Sequence, residues 1–233
     1  MSEAPVLAVQ GLIGGYGAAR VIAGVDLAVQ PGETLAIIGR NGMGKTTLLR
    51  LVFGLLRPMA GRVEALGIAG ALPRALARAG AAIAMQERAL FPDLSIRSNL
   101  RLATRDDAVF AQALPRAIEA FPFLGDRLDQ RAGTLSGGEQ KMLLLARCVM
   151  LRPRLMLLDE ISEGVQPSVV DRLSAVLRAE AARGAGILLV EQNVRFVSAV
   201  ATRWAALRAG GVAADGRLDA PDAAARMHQE LAF

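Results

Sequence analysis

Gly39-Arg40-Asn41-Gly42-Met43-Gly44-Lys45-Thr46-Thr47 follows the phosphate-binding loop pattern G-x-x-x-x-G-K-[ST], and its flanks decide the fold. The apolar run Thr34-Leu35-Ala36-Ile37-Ile38 before it reads as a buried strand. Thr47-Leu48-Leu49-Arg50-Leu51-Val52-Phe53 after it opens a helix. A strand feeding a glycine-rich turn feeding a helix aims backbone N–H groups and a helix N-terminus at one point, which is an anion site. Gly42 and Gly44 let the backbone approach phosphates closely. Lys45 would neutralise β- and γ-phosphates, and the Thr46 hydroxyl would ligate Mg²⁺. Lys45 and Lys141 are the only lysines, and arginine supplies the other basic residues. A chain that otherwise avoids lysine keeps one where a compact charge on a flexible stem is needed.

The 233 residues suffice for one large domain, or one domain with a sub-lobe, around a substantial core. Mean hydropathy is positive at +0.36, which raises the question of a membrane span. No segment offers the run of about 18 uncharged apolar residues that a span requires. The longest uncharged stretch, Ala4 to Ala19, is broken by glycines, Gln10 and Pro5. The first residues lack a basic region, an apolar core and a cleavage site, so the protein is expected to stay in the cytoplasm. Net charge is +5, spread as single arginines, and suits either an anionic membrane face or plain solubility. Aromatic residues are too few for a stacking platform, so no nucleic-acid partner is expected. Cys148, in an apolar helical run, reads as a small packed hydrophobe, and His228 as a solvated tail residue.

Along the chain, Val6 to Gln10 and Val25 to Val29 read as strands, and Pro31-Gly32-Glu33 turns into the strand at 34–38. A helix over 45–56, a short strand at 61–64, a helix over 71–79 and a buried strand at 81–85 follow. From Ser98 to Leu128 the pattern is helical, punctuated by Pro115 and Pro122. Strands and helices then alternate: helix 137–151, strand 154–159, helix 167–182, strand 186–190, helix 193–201 and a hairpin around Gly210-Gly211. Such alternation predicts an α/β fold, a parallel core sheet with helices on its faces. The helical stretch near 87–150 interrupts the pattern and reads as a subdomain inserted into a single domain spanning 1–233.

A phosphate-binding loop alone permits kinases, GTPases, motors and many ATPases. Arg154-Leu155-Met156-Leu157-Leu158-Asp159-Glu160 narrows the choice, being a buried apolar strand that ends in two acids. Asp159 can hold Mg²⁺ through water, and Glu160 can polarise an attacking water. Leu135-Ser136-Gly137-Gly138-Glu139-Gln140 precedes another apolar helix, and Ser136 with two glycines makes a second anion-binding turn. One nucleotide does not need two such turns from one chain. Two chains meeting head to tail, each offering its second turn to the other's nucleotide, would use both.

These motifs and their order resemble the nucleotide-binding subunit of an ATP-binding-cassette (ABC) transporter, over nearly the whole chain. The resemblance implies a P-loop NTPase cassette with a parallel core sheet, an N-terminal antiparallel β subdomain and an inserted helical subdomain, hydrolysing ATP with Mg²⁺. It implies that the loop from Gly39 to Thr47 and the signature from Ser136 to Gln140 bind the nucleotide. Tyr16 sits where the family stacks an aromatic on adenine. Gln86 sits where the family has a glutamine that touches Mg²⁺ and relays to membrane subunits.

Two departures stand out. Leu188-Leu189-Val190-Glu191-Gln192-Asn193 puts Gln192 where the family usually has a histidine facing the γ-phosphate. Glutamine can hydrogen-bond a phosphate oxygen but cannot carry charge. After Glu160, Ile161 and Gln166 stand where a proline and a site-coupling aspartate are common. The "VEQN" and "SEG-x-x-P" stretches resemble one branch, ATPases of bacterial importers for branched-chain amino acids and small polar amides including urea. That branch implies a second ABC ATPase subunit, as homodimer or heterodimer, and two transmembrane permease subunits. It also implies a periplasmic substrate-binding protein and a peripheral place on the cytoplasmic face of the inner membrane. The chain resembles the smaller ATPase of that branch. A soluble or regulatory ABC ATPase not coupled to transport is the alternative.

Overall fold

The computed structural model describes residues 4–70, 72–85 and 90–232. The chain begins with a long antiparallel pair, β1 (Leu7–Tyr16) and β2 (Ala19–Val29), followed by β3 (Thr34–Ile38) and α1 (Lys45–Val52). Next come β4 (Ala60–Ala65), β5 (Ile68–Ala69), α2 (Pro73–Arg78) and β6 (Ala81–Ala84). Helices α3 (Ile96–Arg101), α4 (Asp107–Ala120) and α5 (Gly137–Val149) lead to β7 (Leu155–Asp159). The remainder is α6 (Pro167–Ala182), β8 (Gly186–Glu191), α7 (Val194–Val200), β9 (Arg203–Arg208), β10 (Gly211–Arg217) and α8 (Ala223–Ala232).

Two sheets result. One is antiparallel, in the order β2-β1-β4-β5. The other runs β10-β9-β3-β8-β7-β6, parallel throughout except for the β9–β10 hairpin at its edge. Every residue of β3, β7 and β8 is buried, as continuous apolar runs in a sheet covered on both faces must be. Side chains alternate faces along a strand, so each run supplies two cores. Leu155, Leu157, Leu188 and Val190 join the cluster under the antiparallel sheet and α1. Met156, Leu158, Ile187 and Leu189 join the cluster built from α3 to α6. The fold class predicted from sequence is the one observed.

Several boundaries differ from the sequence reading for identifiable reasons. The first two strands extend to Tyr16 and from Ala19, because their glycines are absorbed as register shifts within a long antiparallel pair. The first helix ends at Val52, with Phe53 as its cap. Helix α2 opens at Pro73, whose fixed φ suits a first turn. Pro115 does not break α4: Ala113 and Ala117, buried in the helical core, hold the helix through it. Pro122 instead opens a 3-10 turn, Pro122–Arg127. No helix among the described residues is long and apolar enough to cross a membrane.

Candidate nucleotide site

Parallel pairing brings the C-terminal ends of three strands to one level, with Ile38 opposite Glu191 and Asp159 opposite Val190. The phosphate-loop pattern leaves β3, the two acids end β7, and Gln192 follows β8. In open α/β sheets this carboxyl edge is where ligands bind. Gly44 is the N-cap of α1 with φ 95°, and a Cβ there would lie 2.9 Å from Val21 Cγ1, so only glycine fits. The helix has no side-chain cap and no acid in its first turn, which leaves its positive end to a ligand.

Lys45 is buried, at 5 % exposure. Its Nζ lies 3.0 Å from Glu160 Oε1 and donates to the Arg40 carbonyl at 3.1 Å. Gln192 Nε2 donates to Asn41 Oδ1 at 2.7 Å and to Glu160 Oε1 at 3.0 Å. The Thr46 hydroxyl donates to Asp159 Oδ1 at 3.2 Å. Residues distant in sequence therefore converge on a few ångströms of space above the sheet. Glu160 has φ 47°, a left-handed conformation that costs a non-glycine residue on the order of 1 kcal/mol. Backbone strain of this kind is tolerated where several bonds over-determine the geometry, and Glu160 N also donates to the Val190 carbonyl at 2.9 Å.

The residues fit Mg²⁺ and a triphosphate. Asp159 Oδ2 is buried without a hydrogen-bond partner, while Oδ1 and Thr46 Oγ1 lie beside it. Burial pushes the Asp159 carboxyl above its ordinary range, against the pull of the Thr46 hydrogen bond, so a nearby cation would stabilise its charged form. Among the described residues no group of three or more His, Cys, Asp or Glu could hold a metal. A hard cation here would complete its oxygen shell from phosphates and water, as Mg²⁺ does.

The other predicted residues lie around this centre. Tyr16 ends β1, 45 % exposed, with its hydroxyl accepting from Arg50 Nη1 at 2.7 Å. Its ring is thus held near α1 and open to a flat ligand. Gln86 lies outside the described residues. Ser136 caps α5, accepting from Glu139 N, while Glu139 Oε2 accepts from Ser136 N at 2.9 Å, a full capping box. Gln140 Nε2 donates to the Leu135 carbonyl at 3.1 Å.

Two residues at the site escaped the sequence reading. Lys141 Nζ donates to the Glu160 carbonyl at 2.8 Å. Its rarity as one of two lysines was the available signal. Glu191, 2 % exposed, accepts from Ser162 N at 2.9 Å and from Gln192 N at 3.3 Å. Burial raises its carboxyl to about 7. It is an acid at the end of an apolar strand, the pattern that marked Asp159.

A family model described as "ABC transporter" matches residues 22–163. The chain belongs to this family. It is 33 % identical over 203 residues to the high-affinity branched-chain amino acid transport ATP-binding protein BraG of Pseudomonas aeruginosa, covering 84 % of this chain and 86 % of that one. It is 34 % identical over 229 residues to the aliphatic sulfonates import ATP-binding protein SsuB of Pseudomonas putida, covering 97 % and 82 %. Among solved structures, a nucleotide-free ATP-binding cassette from an ABC transporter superposes with TM-score 0.84 at 22 % identity, covering 97 % of this chain and 99 % of that one. This cassette is an ATPase of the transporter type.

Proposed function

We propose that this cassette binds Mg·ATP at the carboxyl edge of its parallel sheet, hydrolyses it, and powers a bacterial importer. The observation that carries the reading is the convergence of Lys45, Thr46, Asp159, Glu160 and Gln192 on one point. The glycine turn from Gly39 to Thr47 cradles the phosphates, and Tyr16 stacks on the base. Bound Mg²⁺ would be held by Thr46 and Gln86 and, through water, by Asp159, and would neutralise charge on the transferring phosphoryl group. Lys45 exchanges Glu160 for the phosphates, which frees the Glu160 carboxylate to accept a proton from water. Gln192 donates its amide N–H to a γ-phosphate oxygen. Ser136 to Gln140 covers the nucleotide held by a second cassette, so hydrolysis needs a dimer.

The whole chain acts as one cassette, with the helical subdomain near 87–150 inserted in its α/β core. It works peripherally at the cytoplasmic face of the inner membrane, beneath two permease subunits fed by a periplasmic binding protein. A groove of about 710 Å³ between the parallel sheet and the helical layer, lined by Phe53, Arg78, Ala82, Leu102, Arg147 and Leu151, supports permease docking there. Leu102 and Leu151 are exposed in it, and Phe91 and Leu94 are exposed in the segment following Gln86. The cargo is a branched-chain amino acid or a related small amide such as urea. The similarity to BraG supports the amino acid, whereas the name of SsuB points to sulfonates.

Purifying the tagged chain from its native membranes in mild detergent, with mass spectrometry of what accompanies it, tests this reading. Two multi-span subunits and a second cassette are expected. Recovery without any membrane partner would overturn transport and leave the regulatory ATPase.

A further inference from the structure

We infer that Lys141 is a positioning residue for Glu160, linking the first turn of α5 to hydrolysis in the chain's own site. The inference rests on the proposed role of Glu160. Both lysines of the chain converge on that one residue, Lys45 on its carboxylate at 3.0 Å and Lys141 on its main-chain carbonyl at 2.8 Å. Glu160 holds a left-handed φ of 47°, which no glycine relieves. The Glu160 carbonyl also accepts from Glu163 N at 3.4 Å, and the charged Lys141 donor at 2.8 Å is the shorter and stronger anchor. Loss of that anchor lets the backbone at Glu160 shift and carry the carboxylate out of line with Gln192 and Lys45.

Lys141 directly follows Gln140 on α5, whose capped first turn covers the partner's nucleotide in the proposed dimer. Any shift of α5 on closure reaches the Glu160 carbonyl through one side chain. Glutamine occupies position 166, where a coupling aspartate is common, and Lys141 supplies a route between the two sites that does not pass through that position.

The test compares Lys141→Ala, Lys141→Arg and Glu160→Gln in the assembly recovered from membranes. Lys141→Ala is expected to lower kcat about tenfold, as a displaced catalytic group does, with the KM for ATP within about twofold. Lys141→Arg, which keeps a charged donor, should recover most of that loss. In single-turnover reactions, Lys141→Ala should add no further loss in a Glu160→Gln background, because both act through one group. Wild-type kcat in Lys141→Ala, a loss not rescued by arginine, or a full additional loss in the Glu160→Gln background would overturn the role of Lys141 alone. Normal hydrolysis by Glu160→Gln itself would instead remove the base, and this inference with it.

Discussion

The two glycine-bearing helix starts of this cassette differ in how their backbone donors are satisfied. Helix α1 begins at Gly44 with no side-chain cap and no acid in its first turn, and Lys45 behind it is buried. Helix α5 begins at Ser136 with a complete capping box, and Glu139 is further paired with Arg127 at 2.8 Å. Hydrogen bonding to Ser136 N holds the Glu139 carboxyl below its ordinary range. The first start leaves orphan N–H groups and a positive end for phosphate. The second satisfies itself, so it keeps its shape without a ligand and can be presented to another chain. The contrast is between a helix start that leaves its donors open to a ligand and one that satisfies them within the chain.

Breaking the first start at its chemistry should have the largest effect. Glu160→Gln is expected to lower hydrolysis by about 10²- to 10⁴-fold, the range for loss of a general base, while ATP still binds and holds the dimer closed. Steady-state turnover and light scattering with ATP would check it, and normal turnover would remove Glu160 from that role. Lys45→Ala should weaken nucleotide binding by about 100-fold, or about 2.7 kcal/mol, in a titration with a fluorescent nucleotide. It also leaves the Glu160 carboxylate, 3.0 Å away in the parent, without its buried cation.

The second start gives a smaller and different signature. Ser136→Ala removes the cap of α5 at a cost of about 1 kcal/mol, a drop of about 2–4 °C in thermal midpoint for a chain of this size. Binding of ATP to the single chain should be unchanged while ATP-driven dimerisation is lost. Weakened binding by the single chain would place Ser136 in its own site and dissolve the comparison.

The finest test concerns Glu191, whose carboxyl is raised by burial to about 7 from an ordinary 4.5. The folded state then binds this proton more tightly than the unfolded state. Its contribution to stability is full below pH 4.5 and declines as pH rises towards about 7. At 1.36 kcal/mol per pKa unit the decline is on the order of 3 kcal/mol. Glu191→Gln should lose that slope in denaturant titrations from pH 5 to 8, with stability at pH 8 equal to or above the parent's. An unchanged slope would show that the carboxyl titrates normally.

Much of the fold was legible because its signals are local. The apolar runs of β3, β7 and β8 announce strands buried on both faces, and Pro167 and the turn at Arg183-Gly184 bracket a helix found at Pro167–Ala182. The long pair β1–β2 was less legible, because glycines at 11, 14, 15 and 24 read as breaks where the sheet absorbs them as irregular register, and Gly17 makes the turn between the two strands. In the site, motif spacing singled out Lys45, Thr46, Asp159 and Glu160. It did not single out Glu191 or Lys141, whose partners are backbone groups of Ser162 and Glu160. Backbone groups carry no sequence mark, so bonds to them leave no motif.

By itself the sequence determined the order of strands and helices, the phosphate-binding turn and the two acids ending a buried strand. Each of these follows from dihedral preference and side-chain periodicity within a few residues. Tertiary structure alone decided which of them meet. Thr46 and Asp159 are 113 residues apart, and Asn41 and Gln192 are 151 apart, yet both pairs are hydrogen-bonded. The physical reason is register: parallel pairing of β3 with β8 and of β8 with β7 sets three strand ends level, and a shift by one residue would turn every side chain to the opposite face.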